Sequence, residues 1–192
     1  MRMRESGMPD QQTWSGFFSP SRALENLLFG NVDGNVADFG CGYGTFALPA
    51  AEIISGMVYA IDIDEMLLKQ VREKAEGRKL QNVITLRKDL LEESTGLDAG
   101  SCIYVMLFNV LHCERPLRLL LEAKRILVPG GLVGIIHWIS DPTTPRGPSK
   151  HIRPTPGQCG LWIEQAGLNT VLHEIPLPPF HYGIVARKPE AQ

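Results

Sequence analysis

The sequence predicts a single α/β domain in which helices cover both faces of a mostly parallel sheet. Five short runs rich in β-branched and aromatic residues occur at 36–39, 57–61, 83–86, 103–108 and 132–138. Helix-like segments lie between most of these runs, at 45–54, 64–76 and 116–127. Strands that alternate with helices of this length are typical of a parallel sheet, because each crossover returns the chain to the same edge.

Signals at the ends of the segments agree with this assignment. Asp64 can cap the second helix-like segment, and Pro116 suits the first turn of the third. Val128-Pro-Gly-Gly131 predicts a stop and a turn before the fifth strand. Two last runs, 170–175 and 182–186, are separated by Pro-Leu-Pro-Pro and predict an antiparallel pair, so we expect seven strands.

The composition excludes several classes of protein. The chain has 192 residues, 44% of them hydrophobic and 21% charged, which is enough for one packed core and unlike a disordered chain. A net charge of −2 gives no electrostatic sign of a nucleic-acid partner. The apolar stretches 102–110 and 132–139 are too short for a membrane span of about 20 residues. No apolar run follows the basic start of the chain, so we expect no secretory signal.

Four cysteines show no Cys-x-x-Cys spacing, which argues against a zinc ribbon or a redox pair; they are Cys41, Cys102, Cys113 and Cys159. Cysteines in or beside strand-like runs are more often buried free thiols than reactive groups. We therefore expect a reducing, cytoplasmic location.

The 14 prolines are unevenly distributed, and five of them lie between Pro142 and Pro156. The chain is therefore expected to be irregular after residue 138, up to a helix-like segment at 158–166. The proline-rich segment also carries a group of basic residues: Arg146, Lys150, His151 and Arg153. This pattern predicts either contact with an anionic substrate or a solvated loop.

The sharpest signal is a glycine-rich turn at the end of the first strand. The run Val36-Ala-Asp-Phe-Gly-Cys-Gly-Tyr-Gly-Thr45 has glycine at three alternate positions immediately before a helix. Glycine allows a tight turn and close approach of the backbone to a ligand, and a helix N-terminus offers free N–H groups. The spacing differs from the Gly-x-Gly-x-x-Gly of dinucleotide-binding proteins. Glycine for packing alone is the alternative.

A second signal lies about 20 residues further on, where Tyr59-Ala-Ile-Asp62 ends the second strand. An acid at this place can accept hydrogen bonds from both hydroxyls of a ribose. Capping of the next helix is the alternative role of Asp62, but Asp64 is better placed for it.

With these motifs the chain resembles the class I S-adenosylmethionine-dependent methyltransferases, of the small-molecule type that includes the ubiquinone/menaquinone-biosynthesis methyltransferases. The first two matching stretches are specific as a pair, and three more are supportive: Lys88-Asp-Leu, Leu107-Phe-Asn-Val-Leu-His112 and Arg125-Ile-Leu-Val-Pro-Gly-Gly131. The resemblance implies a Rossmann-like fold with seven strands in the order 3-2-1-4-5-7-6, the last one antiparallel. It also implies S-adenosyl-L-methionine as the cofactor.

The resemblance further implies roles for single residues. The cofactor-binding residues would be Asp38, Gly40, Cys41, Gly42, Tyr43, Gly44, Asp62, Ile63, Asp89, Leu90 and Asn109. The glycine turn would wrap the methionine part, with Asp38 near its amino group. Asp62 would bind the ribose, while Ile63 and the Asp89-Leu90 pair would meet the adenine. Asn109 would line the methionine end and face the substrate.

Methyl transfer from a sulfonium is a direct displacement that needs a base only when the acceptor keeps its proton. His112 and His137 follow strand ends on the expected substrate side and are the candidate bases; structural packing is the alternative for both. These two histidines, Cys41 and Cys113 come from different strand ends without ligand spacing, so we expect no metal site.

Aromatic residues are candidates to cover the site. Tyr43, Phe46, Trp14, Phe17 and Phe18 offer ring faces to the cationic sulfonium, with core packing as the alternative. The last three precede the first strand and form either a lid or part of the core.

The expected organisation is an N-terminal helical or lid segment (1–31), a cofactor-binding core (32–138), a proline-rich substrate-side loop (139–157), and a C-terminal helix and hairpin (158–192). The expected function is methyl transfer to a small molecule. Asn109-Val-Leu-His112 lacks the Asn-Pro-Pro-aromatic run of base methyltransferases, so nucleic acid is not the expected substrate. A non-catalytic module that binds the cofactor or its demethylated product, and an NAD(P)-dependent oxidoreductase, are the alternatives. The sequence indicates neither the acceptor nor the oligomeric state.

Overall fold

The computed structural model describes residues 16, 19–140, 144 and 147–190, and they form one seven-stranded sheet between two layers of helices. The strands are β1 (Val36–Phe39), β2 (Val58–Asp62), β3 (Val83–Arg87), β4 (Cys102–Phe108), β5 (Leu127–Trp138), β6 (Asn169–Leu177) and β7 (His181–Arg187). The helices are α1 (Pro20–Asn26), α2 (Ala47–Ile53), α3 (Glu65–Gly77), α4 (Pro116–Ile126) and α5 (Pro156–Gln165). Short 3₁₀ turns lie at Phe29–Asn31 and Lys150–Ile152.

The strand order is β3-β2-β1-β4-β5-β7-β6. Strands β1 to β5 pair in parallel, and β7 runs antiparallel to both β5 and β6. This confirms the predicted order and the antiparallel last strand. The order reverses between β1 and β4, so the loops after these two strands diverge and leave a crevice at their carboxyl ends.

The two faces of the sheet are covered by different helices. Leu24 of α1, Leu48 of α2 and Leu68 of α3 are buried in the core of one face. Leu120 of α4 and Ile163 of α5 are buried in the core of the other. A sheet buried on both sides explains why its central strands are continuous apolar runs rather than alternating ones.

The helix starts follow the capping chemistry of the sequence. The Asp64 carboxylate accepts the Met66 N–H at 2.9 Å, which confirms the predicted cap of α3. Pro116 occupies the first turn of α4. At α5, the Thr155 hydroxyl accepts the Gln158 N–H and the Gln158 side chain accepts the Thr155 N–H, which is a complete capping box.

The helix α4 stops at Ile126, before the predicted stop signal, but the predicted turn at 128–131 is wrong, because these residues form a bulge inside β5. Cys102 pairs with Leu127 and Tyr104 with Leu132, so the bulge absorbs the additional residues of β5. The Gly130 N–H donates to the Lys188 carbonyl at 3.0 Å, and the Lys188 N–H donates to the Gly131 carbonyl at 2.9 Å. These hydrogen bonds keep the Pro-Gly-Gly segment attached to the sheet although its sequence is that of a turn.

Trp14, Phe17 and Phe18, which the sequence suggested for a lid, lie outside the described residues. From the same stretch, Leu24 and Leu27 are fully buried. The Tyr104 hydroxyl of β4 donates to the Leu27 carbonyl at 2.9 Å, which ties the end of α1 to the sheet. No helix among the described residues is long and apolar enough to cross a membrane.

Candidate active site

A cavity of about 270 Å³ opens at the carboxyl ends of the central strands. Ten of the residues predicted from the sequence line it: Asp38, Gly40, Cys41, Gly42, Asp62, Ile63, Asp89, Leu90, Asn109 and His112. Tyr43, Gly44 and His137 were also predicted but are not among the lining residues. The fold thus brings residues that are far apart in sequence to one place, next to the point where the strand order reverses.

The glycine turn brings bare backbone to the cavity. Gly40 has φ +72°, and a Cβ placed there would lie 2.7 Å from Val110 Cγ1. Gly42 also has a positive φ, of +52°. The N–H groups of Gly40 and Cys41 both donate to the Ile61 carbonyl, at 2.8 and 3.0 Å, so the turn is anchored to β2. A larger residue at position 40 would fill the space beside the turn.

Tyr43 and Gly44, at the end of this turn, contact α3. A Cβ at Gly44 would lie 3.1 Å from Val71 of α3 and 3.2 Å from Leu48, so this glycine is needed for packing. The Tyr43 carbonyl accepts a hydrogen bond from Lys74 Nζ at 2.8 Å, and the same ammonium lies 5.6 Å from the Tyr43 ring centroid. Nothing in the sequence pointed to Lys74, because only the fold brings α3 beneath the turn.

Asp38 and Asp62 place two carboxyl groups in the cavity wall, each with only 3% of its surface exposed. Burial, and then the charge of Asp62, raise the pKa of Asp38 to about 7, although the Ala47 N–H opposes this. Burial raises the pKa of Asp62, opposed by the N–H groups of Asp64 and Gly42. Such a pair favours a ligand that brings positive charge or hydroxyl donors.

Asp64 caps α3, and the Asp62 carboxylate instead holds two backbone segments. One carboxylate oxygen accepts the Gly42 N–H at 2.9 Å, and the other accepts the Asp64 N–H at 3.0 Å. The first bond joins the glycine turn to the end of β2. Each oxygen keeps a further lone pair, so the side chain can accept ligand hydroxyls while holding the turn in place.

The loop after β3 also lines the cavity, through residues 88–92. The Asp89 carboxylate accepts the Leu91 N–H at 3.1 Å, and the Leu90 carbonyl accepts Arg118 Nε of α4 at 3.1 Å. An ion pair between Glu92 and Arg115 joins this loop to the segment before α4. These contacts fix the backbone at the two residues expected to meet an adenine.

Asn109 follows β4 in the left-handed conformation, with φ +58°. Its N–H donates to the Ile136 carbonyl at 2.8 Å, which pins the turn to β5. Both polar atoms of the side-chain amide are buried and have no hydrogen-bond partner among the described residues. Leaving such groups unsatisfied costs about 1–3 kcal/mol each, so the side chain is prepared for a polar ligand.

The structure separates the two histidines. His112 lines the cavity, and burial lowers the pKa of its imidazole to about 4, so the ring is neutral at pH 7. His137 is fully buried, and its Nε2 accepts the Leu111 N–H at 3.1 Å. The two imidazole rings lie edge to face, with their centroids 5.6 Å apart. His137 therefore supports the turn that carries His112. The expectation that His137 faces the substrate side is wrong, because its ring lies inside the protein and does not line the cavity.

One wall of the cavity was not predicted residue by residue. Trp138 at the end of β5, together with Gly147 and Pro148, lines the cavity, and we name these three residues the β5-side wall. The only sequence signal for this wall was the proline-rich segment. The charged lining residues that the sequence also left unassigned lie in the loops after β3 and β4; they are Lys88, Glu92, Glu114 and Arg115.

Among the described residues, no group of three histidine, cysteine or acidic side chains is placed to hold a metal ion. All four cysteines are free. Cys41 lines the cavity, but burial raises the pKa of its thiol well above the usual value, followed in effect by the charge of Asp38. The thiol is therefore protonated at neutral pH. Because the thiolate is the form that attacks electrophiles and binds metals, Cys41 does not act in either way.

These features fit S-adenosylmethionine, which has an ammonium, a ribose, an adenine and a cationic sulfur. The bare backbone at Gly40 admits a close ligand, the Asp38 and Asp62 carboxyls suit the ammonium and hydroxyls, and the Asn109 amide has no hydrogen-bond partner in the part of the chain that the structure describes. The fold and the site together define a class I S-adenosylmethionine-dependent methyltransferase. The family model of the methyltransferase domain matches residues 36–131, half of the chain, so the protein belongs to that family.

Known proteins support this assignment. The ribosomal protein L11 methyltransferase of Halalkalibacterium halodurans is 32% identical over 111 residues, which are 57% of this chain and 33% of that protein. The aklanonic acid methyltransferase DauC of a Streptomyces species is 31% identical over 121 residues, 61% of this chain and 54% of that one. The chain thus spans between a third and about half of the length of these relatives.

A solved structure resembles the chain over nearly its whole length. The crystal structure of a SAM-dependent methyltransferase from Aquifex aeolicus has a TM-score of 0.80 and 25% identity, and the match covers 93% of each chain. The predictions of the fold, the family and the cofactor are therefore confirmed, and the match to methyltransferases decides against the oxidoreductase alternative.

Proposed function

We propose that this protein transfers the methyl group of S-adenosylmethionine to a small-molecule acceptor bound between the loop after β4 and the β5-side wall. One observation carries the proposal: the buried Asn109 amide, which no described residue satisfies, and the neutral His112 imidazole share one cavity with the acid pair. A binding site alone needs the acid pair and the glycine turn. A neutral imidazole beside them adds a group that can take a proton.

The cofactor roles implied by the resemblance become part of this proposal. Asp38 would face the ammonium, and the turn from Gly40 to Gly44 would surround the methionine part. Asp62 would accept the ribose hydroxyls with its free lone pairs. Ile63, Asp89 and Leu90 would bound the adenine, which is supported by the anchored loop after β3.

The chain has three tasks in the reaction. When bound, the cofactor supplies a methyl group attached to a cationic sulfur, and this sulfur leaves readily without acid assistance. The protein has to hold the acceptor in line and exclude water. His112 would accept the proton that the acceptor loses, because its imidazole is neutral and lines the cavity; its pKa of about 4 makes it a weak base, which suits an acceptor that gives up its proton easily. His137 would fix the orientation of the turn through the Leu111 N–H.

A small acceptor is supported by the cavity, whose volume is about 270 Å³. The name of one relative gives aklanonic acid as its substrate, and the name of another gives a ribosomal protein. The second match covers only a third of that relative. The net charge of −2 supports the prediction that nucleic acid is not the substrate.

Calorimetry with S-adenosylmethionine, S-adenosylhomocysteine and NAD tests the cofactor. We expect both sulfur compounds to bind and NAD not to bind; binding of NAD alone would contradict the proposal. Release of S-adenosylhomocysteine is then measured over a panel of small acceptors. Tight binding with no release across the panel would favour the non-catalytic binding module instead.

The expected location and division of the chain stay predictions. A cytoplasmic location is supported by the four free cysteines, three of them buried. The division into 1–31, 32–138, 139–157 and 158–192 is supported by the cavity, since its lining residues come from the second and third parts.

A further inference from the structure

Lys74 of α3 points towards the glycine turn, whereas other basic residues of this helix form ion pairs at the surface. Its side chain is half-buried, and its Nζ donates to the Tyr43 carbonyl at 2.8 Å. The exposed Lys69, by contrast, pairs with Glu73. Among the described residues, no carboxylate lies at ion-pair distance from the Lys74 ammonium. Partial burial of this charge costs hydration, so its hydrogen bond to the turn calls for a functional reason.

The hydrogen bond from Lys74 fixes one end of the peptide unit that joins Tyr43 to Gly44. The other end is the Gly44 N–H, which donates to the Cys41 carbonyl at 2.9 Å. Because the carbonyl and the N–H of one peptide unit lie in a single plane, the two bonds together set the orientation of that plane. Gly42 and Gly44 on either side of Tyr43 both have positive φ, and glycine gives the backbone freedom to rotate. Loss of the ammonium would release the carbonyl end.

The glycine turn is held from two elements that act separately. Asp62 at the end of β2 accepts the N–H groups of Gly42 and Asp64, and neither bond involves Lys74. Lys74 holds the later part of the turn from α3. Cys41 and Gly42 line the cavity, so a shift of the adjoining peptide unit changes the wall of the site. A change at Lys74 should therefore disturb the turn while the contacts of Asp62 remain.

The charge of Lys74 also reaches the inner side of the turn. Burial, and then the charges of Asp38 and Asp62, raise the pKa of the Cys41 thiol, while the charge of Lys74 acts in the opposite sense. The methionine part of S-adenosylmethionine carries a carboxylate, which the two acids repel. A cation on the α3 side of the turn makes the potential at this place more favourable for that carboxylate.

We propose that Lys74 is a positioning residue for the amino-acid portion of the cofactor, which it serves by fixing the Tyr43–Gly44 peptide unit and by balancing the carboxylate. The inference rests on the proposed function, because it needs the methionine part to lie at the glycine turn. The adenosine portion, expected at Asp62 and the loop after β3, gains nothing from Lys74. Ligands with and without the amino-acid portion therefore separate this role from a general support of the fold.

The test uses two ligands that share the adenosine portion. S-adenosylhomocysteine carries the amino-acid portion, and 5′-methylthioadenosine lacks it. Their affinities for the full chain are measured by calorimetry and by ligand-observed NMR. In Lys74→Met, which keeps the aliphatic stem and removes the ammonium, we expect the affinity for S-adenosylhomocysteine to fall about tenfold or more. The affinity for 5′-methylthioadenosine should stay within about twofold.

Two further variants sharpen the result. Lys74→Arg keeps a cationic donor at the same place and should recover most of the lost affinity for S-adenosylhomocysteine. Lys69→Met is the matched control, because Lys69 lies exposed on the same helix and pairs only with Glu73 among the described residues. This variant should change neither affinity. Thermal unfolding of all three variants shows whether the helix itself is affected.

The pair of affinities separates the possible failures. Equal losses for both ligands in Lys74→Met, or no loss for either, would overturn the role of Lys74 and leave the proposed function standing. Should Lys74→Met not fold, Lys74→Gln, which also removes the charge, decides the same comparison.

The wild-type protein tests the placement of the cofactor. Binding of S-adenosylhomocysteine without any binding of 5′-methylthioadenosine would contradict the expected adenosine site at Asp62, and the inference about Lys74 would be overturned with it. A wild type that binds neither ligand would overturn the proposed function itself.

Discussion

The two ends of the cavity are built in different ways. The polar end, formed by the glycine turn with Asp38 and Asp62, comes from two short stretches at the ends of neighbouring strands. The β5-side wall is assembled from Trp138 and from Gly147 and Pro148, which an arginine further along the chain holds in place. The polar end depends on backbone geometry and charge, whereas the wall depends on side-chain packing. Changes at the two ends should therefore affect different steps of the reaction.

The largest effect is expected at the backbone of the polar end. Gly40→Ala places a Cβ 2.7 Å from Val110 at a positive φ, so the turn has to move. We expect the affinity for S-adenosylhomocysteine, measured by calorimetry, to fall by about a hundredfold or more. Gly77→Ala is the control, because a Cβ at the end of α3 meets nothing within 4 Å. Unchanged affinity in Gly40→Ala would remove the turn from the binding site.

Loss of the imidazole should affect turnover instead of binding. His112→Ala removes the proposed proton acceptor, and we expect kcat to fall by about a hundredfold, within the usual range for a general base. The cofactor affinity should change less than kcat. His151→Ala, an exposed histidine, serves as the control. Turnover that stays the same in His112→Ala would mean that the acceptor needs no base or uses another one.

Asp62→Ala should weaken cofactor binding by about 1.5–3 kcal/mol, or roughly ten- to a hundredfold, as for a lost charge-assisted hydrogen bond. The same change at Asp64 removes only the helix cap, at a cost of about 1 kcal/mol in the free energy of unfolding. Calorimetry and thermal unfolding of both variants separate the two roles. Equal losses of affinity would show that Asp62 acts only through the local fold.

The smallest effect is a pH dependence at the polar end. The Asp38 carboxyl has a pKa of about 7 in the free protein, so it is mostly protonated at pH 6 and mostly ionised at pH 8. A cationic ammonium binds only the ionised form well, so we expect cofactor affinity to rise with pH and to level off above pH 8. Below pH 7 the cofactor affinity should change by at most about tenfold per pH unit. Asp38→Asn should remove this pH dependence, and an unchanged dependence in the variant would assign the effect to another group.

The same shift should be visible in the stability of the free protein. A carboxyl whose pKa is raised by folding stabilises the fold at pH below about 4 and loses this contribution as the pH rises through about 7. The buried His112 acts in the opposite sense, because its stabilising contribution is present above its normal pKa and is lost as the pH falls through about 4. Comparison of the unfolding temperatures of wild type and Asp38→Asn between pH 5 and 8 isolates the carboxyl contribution.

How far the sequence could predict the site is clear from particular residues. Gly40, Gly42 and Asp62 were predicted because a tight turn and a strand end constrain residue types locally, Asp38 was predicted from the family resemblance, and all four line the cavity. The resemblance assigned Gly44 to the ligand; in the structure it has φ +76°, and a Cβ there would lie 3.1 Å from Val71. Local spacing cannot distinguish a glycine that faces a ligand from one that faces a helix, since both require the same missing Cβ.

His137 and the Pro-Gly-Gly segment show the other limit. His137 follows the pattern of a strand-end base, yet its ring points to the Leu111 N–H inside the protein. The segment at 128–131 has the sequence of a turn, yet backbone hydrogen bonds between Gly130, Gly131 and Lys188 keep it within β5. Both outcomes depend on partners that are distant along the chain, and no local pattern contains them.

The sequence by itself determined the alternation of strands and helices and the glycine turn and acid at the polar end of the cavity. These follow from periodicity, capping and glycine geometry, which act over a few residues, whereas the sheet order came only from the resemblance to the methyltransferase family. Only the tertiary structure decided which histidine meets the cavity, that Lys74 supports the glycine turn, and that Arg153 is buried behind the β5-side wall. These depend on long-range packing, in which a side chain takes its role from neighbours that the fold alone supplies.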